Sequence, residues 1–474
     1  MAFVLIPVLL ASSAHGANPV PGSSCVKLGS KKLISAKTYT CVAKGKRLVW
    51  DTGILTPNKN GSSGSSSNGL FDAGMYGIVR NISSNGGKSQ PMQCQNSDGN
   101  QGFRSQKTLF VNPTNPNQIG IGIEYKGFYI SMDGGATWKI SSSGLIGYPQ
   151  QSDANKPCHA EFSTLVVDPS NSNHLIISRA GEPGTIKDYF SENAGIYESL
   201  DAGKSWKQIL TQSGLGVYVH DGMAISAQNP KVIYAGTTTN PRRLNGENKI
   251  YATKGVVYRT NDGGKTWAEL PTGAPANIGV QSIVLDPTND QIVTVATFGR
   301  EQTSTGNQFG PGLGILRSVD GGANWHRIDS LGSGFSILEF SIKNPKYALG
   351  ITYEGNVVAS SDGGATWVKQ NRINSMRAVG YNDFDRNGNS GLIADEMGAI
   401  SIFSENGDSV SSAGTLPSLS GFSTRVTKFA FASDGTWYAA GHYTDNKSHQ
   451  IGFIFKSIDS GLNWKKILDT DSLK

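Results

Sequence analysis

Acids, histidines and arginines that could bind or cleave a polar substrate lie in long polar segments between residues 157 and 302. A retaining or inverting glycoside hydrolase needs two opposed carboxyl groups at the scissile bond. The catalytic candidates for such a pair are Glu161, Glu182, Asp188 and Asp221. The ligand-binding candidates near them in the chain are His159, His220, Arg242, Arg243, Arg300 and Glu301. Each has a plainer interpretation as a solvated loop charge, and His159 could simply flank a disulfide, because it directly follows Cys158.

A second chemical pattern is the stretch DFDRNGNSGL at residues 383–392. Oxygen-bearing side chains alternate around Gly388 in a way that suits Ca²⁺. The predicted metal ligands are Asp383, Asp385, Asn387 and Asn389. Gly391 occupies the ninth position, where a calcium loop would carry an acid, so one ligand is missing. The sequence therefore predicts either no cofactor or a weak Ca²⁺ site, and the alternative is an Asx-rich turn.

An octet of the form Ser/Thr-x-Asp-x-Gly-x-x-Trp, beginning with SMDGGATW at residues 131–138, occurs in six good copies. The octets contain Asp133, Asp201, Asp262, Asp320, Asp362 and Asp459 and account for six of the eight tryptophans. A worn copy, SENGDS, begins at Ser404 and lacks the tryptophan. Asp and Ser side chains can accept bonds from backbone N–H groups in a tight turn, and glycine allows positive φ. We therefore interpret the octets as structural turns.

The octets recur within units of four β-rich runs that begin near residues 107, 162, 222, 281, 336, 376 and 425. Four-stranded units repeated radially make a β-propeller, so we predict an all-β propeller with seven four-stranded blades. Six or eight blades stay open, since the run from Met75 could add a strand. Strand direction alternates within a blade, so the octets and the turns between strands one and two share one face, here called the octet face. The long insertions belong to the opposite face, the loop face, where we expect a ligand to bind.

The octet resembles the Asp-box, or BNR repeat, and the resemblance covers residues 71–474. Families with this repeat include sialidases, xyloglucanase-type glycoside hydrolases, sortilin-type receptors and photosystem assembly factors. The resemblance implies a propeller whose Asp-boxes are structural, and it does not imply one activity. The standard catalytic motifs of sialidases and xyloglucanases are not found in this sequence. The sequence therefore does not decide whether the protein is an enzyme. If it is one, the predicted activity is glycoside hydrolysis.

The first 55 residues predict export and a small separate module. Residues 1–16 resemble a signal peptide, although no basic residue precedes the apolar run. The alternatives are a start codon placed too late or a short buried strand. Residues 17–55 contain six lysines and one arginine against the single acid Asp51, in a chain of net charge +6. This module resembles a Cys-paired hairpin module of exported actinobacterial proteins. Its interpretations are docking to an anionic wall polymer or surface, or a solvated spacer.

A Ser/Gly-rich linker at residues 56–70 separates the module from the propeller. The parsimonious disulfide pairing is Cys25 with Cys41 and Cys94 with Cys158, since the linker lies between the two pairs.

The main functional prediction is a secreted or wall-associated monomer that binds an extracellular glycan, cell-wall polymer or protein at the loop face. The alternatives are a glycoside hydrolase acting on extracellular polysaccharide, and an assembly or receptor scaffold. Neither a nucleic-acid partner nor a membrane span is predicted.

Overall fold

The computed structural model divides the chain into two compact units, Met1–Tyr76 and Gly77–Lys474. The structure describes residues 23–34, 37–50, 54–55, 76–81, 108–112, 114–123, 127–145, 162–179, 195–211, 222–237, 242–243, 249–253, 256–273, 278–303, 306–310, 312–328, 335–341, 344–352, 356–372, 383–384, 390–395, 397–404, 410–446 and 450–473. None of the helical segments in these ranges is both long and apolar enough to cross a lipid bilayer.

Unit 1 is a four-stranded sheet stapled by a disulfide. Its strands are β1 (Lys31–Ile34), β2 (Lys37–Lys44), β3 (Arg47–Trp50) and β4 (Ile54–Leu55), and β2 pairs with the other three. The predicted bond between Cys25 and Cys41 is present, with the two Cα atoms 5.9 Å apart. Cys94 and Cys158 lie outside the described residues. The predicted hairpin is corrected to a four-stranded sheet, because β1 and β4 add to the β2–β3 hairpin.

Unit 2 consists of antiparallel sheets, and β5 (Tyr76–Asn81) precedes them. Blade 1 contains β6 (Phe110–Val111), β7 (Ile119–Ile123), β8 (Gly127–Ser131) and β9 (Lys139–Ile140). Blade 2 contains β10 (Phe162–Asp168), β11 (Asn171–Arg179), β12 (Gly195–Ser199) and β13 (Lys207–Thr211). Blade 3 contains β14 (Met223–Ile225), β15 (Ile233–Gly236), β18 (Val256–Thr260) and β19 (Ala268–Pro271). A hairpin of β16 (Arg242–Arg243) and β17 (Lys249–Thr253) is inserted between β15 and β18.

A five-stranded sheet follows, with β20 (Ile278–Asp286), β21 (Asn289–Thr303), β22 (Gly306–Gly310), β23 (Ile315–Ser318) and β24 (His326–Arg327). Blade 4 contains β25 (Phe335–Phe340), β26 (Ala348–Thr352), β27 (Asn356–Ser360) and β28 (Val368–Arg372). Blade 5 contains β29 (Asp383–Phe384), β30 (Ser390–Ala394), β31 (Ala399–Ser404) and β32 (Val410–Thr415). Blade 6 contains β33 (Phe422–Phe431), β34 (Trp437–Asp445), β35 (Gln450–Ser457) and β36 (Lys465–Asp469), and a 3₁₀ turn, Thr470–Ser472, follows it.

The prediction of seven four-stranded blades is therefore wrong. Among the described residues of unit 2, six sheets are four-stranded blades, and the sheet between blades 3 and 4 has five strands. The fifth strand is β22, which pairs with the far half of β21. Its residues, GNQFG, are poor strand formers, and the sequence pattern therefore predicted a loop there.

The sheets form a closed ring. First strands of successive sheets contact one another from β10 through β14, β20, β25 and β29 to β33, and β33 of blade 6 contacts β6 of blade 1. Apolar cores fill the spaces between neighbouring sheets: Phe128 and Phe162 pack between blades 1 and 2, and Ile121 and Tyr438 pack between blades 6 and 1. This arrangement is a β-propeller, in which radial repetition of the sheets leaves only short, protected edges.

Each octet ties its own turn together. In the first octet, the hydroxyl of Ser131 donates to Oδ1 of Asp133 over 2.8 Å. The backbone N–H of Thr137 donates to the same oxygen over 2.8 Å, and its hydroxyl donates to Oδ2 over 2.6 Å. These hydrogen bonds, led by the one from the Thr137 hydroxyl, lower the pKa of Asp133 to about 2. The same bonds recur in the other five octets, with Ser or Asn at the position of Thr137 in three of them.

Candidate functional site

The ring encloses a central cavity of about 500 Å³. Its lining comes from six first strands, β6, β10, β14, β20, β25 and β33. Consecutive residues of these strands line it, such as residues 164–167 and 282–285, so the strands present an edge rather than a face. Among the described strands, each of these pairs with one neighbour, so its other edge of backbone N–H and C=O groups faces the cavity.

The described cavity wall is mostly apolar and carries few charges. Lys428 and Glu339 are the charged side chains in the described lining, and Thr164, Ser282 and Ser341 supply hydroxyl groups. With Glu339 as its single acid, this lining holds no opposed carboxyl pair of the kind that glycoside hydrolysis needs.

Two hairpins project from the loop face. Strand β21 runs seven residues beyond Ala296, the last residue that pairs with β23, and β22 pairs with this extension. Strand β20 pairs with β21 up to Gly299, so residues 300–303 continue β21 beyond the sheet of the ring by about 13 Å, at about 3.3 Å per residue. It carries Arg300, opposite Phe309, and Glu301, opposite Gln308. The second hairpin carries Arg242 and Arg243 on β16, which pairs with β17, and β5 completes a three-stranded sheet.

Most of the other predicted site residues lie outside the described residues. These are His159, Glu161, Glu182, Asp188, His220, Asp221, Asp385, Asn387 and Asn389. The segments that hold the first six connect β9 to β10, β11 to β12 and β13 to β14, and all these strands begin or end at the loop face. Asp383 is the first residue of β29. Within the described parts of the chain, no group of three or more His, Cys, Asp or Glu residues is placed to hold a metal ion.

The structure brings together one titratable cluster that the sequence analysis missed. His174, on β11 of blade 2 at the octet face, lies between two carboxylates: Nδ1 is 2.9 Å from Oδ2 of Asp168, and Nε2 is 3.0 Å from Oε1 of Glu198. His174 is 8% exposed. The hydrogen bond to Glu198 and then the one to Asp168 raise its pKa, against the effect of burial. Both ring nitrogens are engaged, so this imidazole is a bridge between strands rather than a free base.

The signal that could have revealed this cluster is the strand register. Asp168 and His174 flank one turn, so their proximity follows from the chain itself. Glu198 lies 24 residues further along and reaches His174 because Leu175 pairs with Ser199 across β11 and β12. A sequence pattern gives the strands but not this cross-strand pairing.

No protein-family model matches the chain. The xyloglucanase Xgh74A of Acetivibrio thermocellus is 26% identical over 395 residues, which cover 72% of this chain and 43% of that protein. The xyloglucanase of Hypocrea jecorina is 25% identical over 260 residues, 50% of this chain and 27% of that protein. This chain therefore matches less than half the length of these curated relatives. Among solved structures, an ancestral GH74 enzyme aligns with a TM-score of 0.50 and 16% identity, covering 79% of this chain and 47% of that one. The chain is thus a β-propeller that is similar in sequence to xyloglucanases.

Proposed function

We propose that this propeller hydrolyses a xyloglucan-type polysaccharide and that the chemistry takes place at the loop face. The observation that carries the proposal is the similarity to a xyloglucanase over 72% of the chain. It favours the hydrolase alternative over the binding function that the sequence analysis placed first. A polysaccharide of this kind lies outside the cell, which agrees with the predicted export signal at residues 1–16.

The proposed substrate path runs over the ring beside the β21–β22 hairpin. A hairpin that extends about 13 Å beyond the sheet of the ring can flank sugar units of a long chain. In this hairpin Arg300 pairs with Phe309. The proposed carboxyl pair comes from Glu161, Glu182, Asp188 and Asp221, in which one protonated acid assists the leaving group and one carboxylate acts as nucleophile or base.

Hydrolysis of xyloglucan by the full chain, followed as new reducing ends, tests this proposal. We expect cleavage of xyloglucan and no release from a fluorogenic sialoside. Among Glu161→Gln, Glu182→Gln, Asp188→Asn and Asp221→Asn, we expect two variants to lose about 10²–10⁴-fold in kcat. Glu339→Gln in the central cavity is the matched control and should keep the wild-type rate. Four single variants that all retain wild-type kcat would contradict the assignment of these acids.

The second candidate function is glycan binding without cleavage. It is the function that the sequence analysis placed first. Affinity electrophoresis in xyloglucan gels distinguishes the two functions. Retardation of the protein without production of reducing ends would support binding alone.

A further inference from the structure

Unit 1 presents two apolar side chains to solvent on a single turn. Val26 is 99% exposed and Leu28 is 60% exposed. The residue between them, Lys27, is also exposed. Two neighbouring aliphatic side chains with this much exposure differ from the isolated apolar residues of an ordinary protein surface.

The turn is fixed, so its apolar side chains are held away from the sheet. The N–H of Gly29 donates to the carbonyl of Cys41 over 2.8 Å. The hydroxyl of Ser30 donates to the carbonyl of Lys27 over 2.7 Å. The disulfide between Cys25 and Cys41 fixes the start of the same turn to β2.

Basic side chains of the β2–β3 turn lie close to this turn. The N–H of Cys25 donates to the carbonyl of Leu48 over 3.1 Å, and Ser24 bridges antiparallel to Val49. The chain therefore reaches Val26 at the end of β3 where Arg47 begins the strand. The β2–β3 turn at this end exposes Lys44, Lys46 and Arg47. We call residues 26–29 and 44–47 the basic tip.

The charge of unit 1 is one-sided. Within residues 23–34, 37–50 and 54–55, the parts of unit 1 that the structure describes, every charged side chain is basic. A surface of this charge selects an anionic partner. Wall polymers and lipid headgroups both offer anions, but only a bilayer also offers an apolar layer just beneath its phosphates.

We propose that the basic tip docks onto an anionic lipid surface. The cations contact the phosphates, and Val26 and Leu28 enter the boundary between headgroups and acyl chains. This peripheral contact is separate from the proposed hydrolysis. It would hold the propeller near a membrane.

Co-sedimentation of the full chain with vesicles tests the proposal. The vesicles contain equal parts of phosphatidylglycerol and phosphatidylcholine, with pure phosphatidylcholine as the comparison, at about 0.1 M salt. We expect binding to the anionic vesicles only. The double variant Val26→Ser with Leu28→Ser should weaken binding at least about tenfold, and Lys44→Ala with Lys46→Ala should weaken it similarly.

Val319→Ser is the matched control, because Val319 is a 57% exposed apolar residue of an octet in unit 2. It should leave vesicle binding unchanged. Soluble poly(glycerol phosphate) is tested as well, because it represents a wall polymer, the other class of anionic partner. The proposal is overturned if anionic vesicles bind no better than neutral ones. It is also overturned if the Val26 and Leu28 double variant binds vesicles like the wild type, because the contact would then be purely electrostatic and equally suited to the polymer.

Discussion

His174 can donate to both of its carboxylate partners only when protonated, because a neutral imidazole carries one N–H. Its raised pKa means that it stabilises the fold fully below the unfolded value of about 6.5. This contribution is lost as pH rises through the folded pKa. Burial alone would raise the pKa of Asp168, but hydrogen bonds from Ser170 and His174 outweigh it and lower the pKa. The contribution of Asp168 is therefore lost as pH falls, so the cluster is most stabilising in mildly acidic solution.

We expect His174→Gln to reduce the free energy of unfolding by about 1–3 kcal/mol at pH 6, because it removes charge-assisted hydrogen bonds between buried groups. The reduction should be smaller at pH 8, where the wild-type bridge is itself weakened. Urea unfolding at the two pH values measures this difference. His326→Gln, on the exposed face of β24, is the control. A loss of equal size at both pH values would show that the bridge does not depend on protonation.

The octet aspartate acts through hydrogen bonds within its turn. Asp362 accepts from the hydroxyl of Ser360 over 2.8 Å, and from the N–H and hydroxyl of Thr366 over 2.8 and 2.6 Å. We expect Asp362→Ala to reduce the free energy of unfolding by about 1–2 kcal/mol, since these donors then bond to water in an exposed turn. Ser361→Ala, at the exposed neighbouring position, should change it little. Thermal unfolding measures both, and xyloglucan hydrolysis below the melting temperature should stay unchanged if the octet has no catalytic role.

Among the structural elements, the octet turn also joins neighbouring sheets. The glycine at its fifth position packs against the preceding sheet: a Cβ on Gly203 would lie 2.6 Å from Phe128, and one on Gly264 would lie 2.7 Å from Ile209. The residue before the octet reaches the next sheet, as Arg259 donates to the carbonyl of Gly321 over 3.0 Å. The repeat therefore sets the spacing of the ring as well as the conformation of each turn.

Adjacent glycines of one octet separate these two effects. Gly263 and Gly264 both have positive φ, of 71° and 85°. A Cβ on Gly263 would meet nothing closer than 4.0 Å, whereas one on Gly264 would overlap Ile209. We expect Gly263→Ala to cost about 1 kcal/mol for the backbone conformation, and Gly264→Ala to cost about 1–3 kcal/mol more for overpacking between the sheets. Equal losses in chemical unfolding would mean that the contact between sheets relaxes freely.

The elements that could be predicted are those with a local signal. The spacing of Asp, Gly and Trp in the octets indicated strand–turn–strand units. The pair Cys25 and Cys41 indicated the disulfide bond of unit 1. The number of four-stranded blades was wrong because GNQFG has little strand propensity and becomes β22 only by pairing with β21. The His174 cluster was missed for a related reason, since cross-strand register places Glu198 beside it. For the proposed substrate site, the alternating direction of the strands predicted the loop face. The carboxyl pair remains a prediction.

At the scale of the whole propeller, stability and recognition are assigned to different parts. The apolar cores between sheets and the octets close the ring, whereas the β21–β22 extension lies beyond the residues that pair with β23. Strand β20 pairs with β21 up to Gly299 and no further. The outer half of the hairpin can therefore be removed without taking a partner from any other described strand. This separation makes the proposed function testable apart from folding.

Replacement of residues 300–309 by Asn-Gly would join Gly299 to Gly310, which already face each other, through a two-residue turn. We expect the melting temperature to change by only a few degrees, since the cores between sheets are untouched. If the hairpin flanks the substrate, kcat/KM on xyloglucan should fall at least about tenfold, mainly through KM, because lost binding contacts cost about 1.4 kcal/mol per tenfold. Asp434→Asn, in the octet-face turn between β33 and β34, is the control and should hydrolyse like the wild type. A shortened variant that is folded and fully active would place the substrate path elsewhere on the ring.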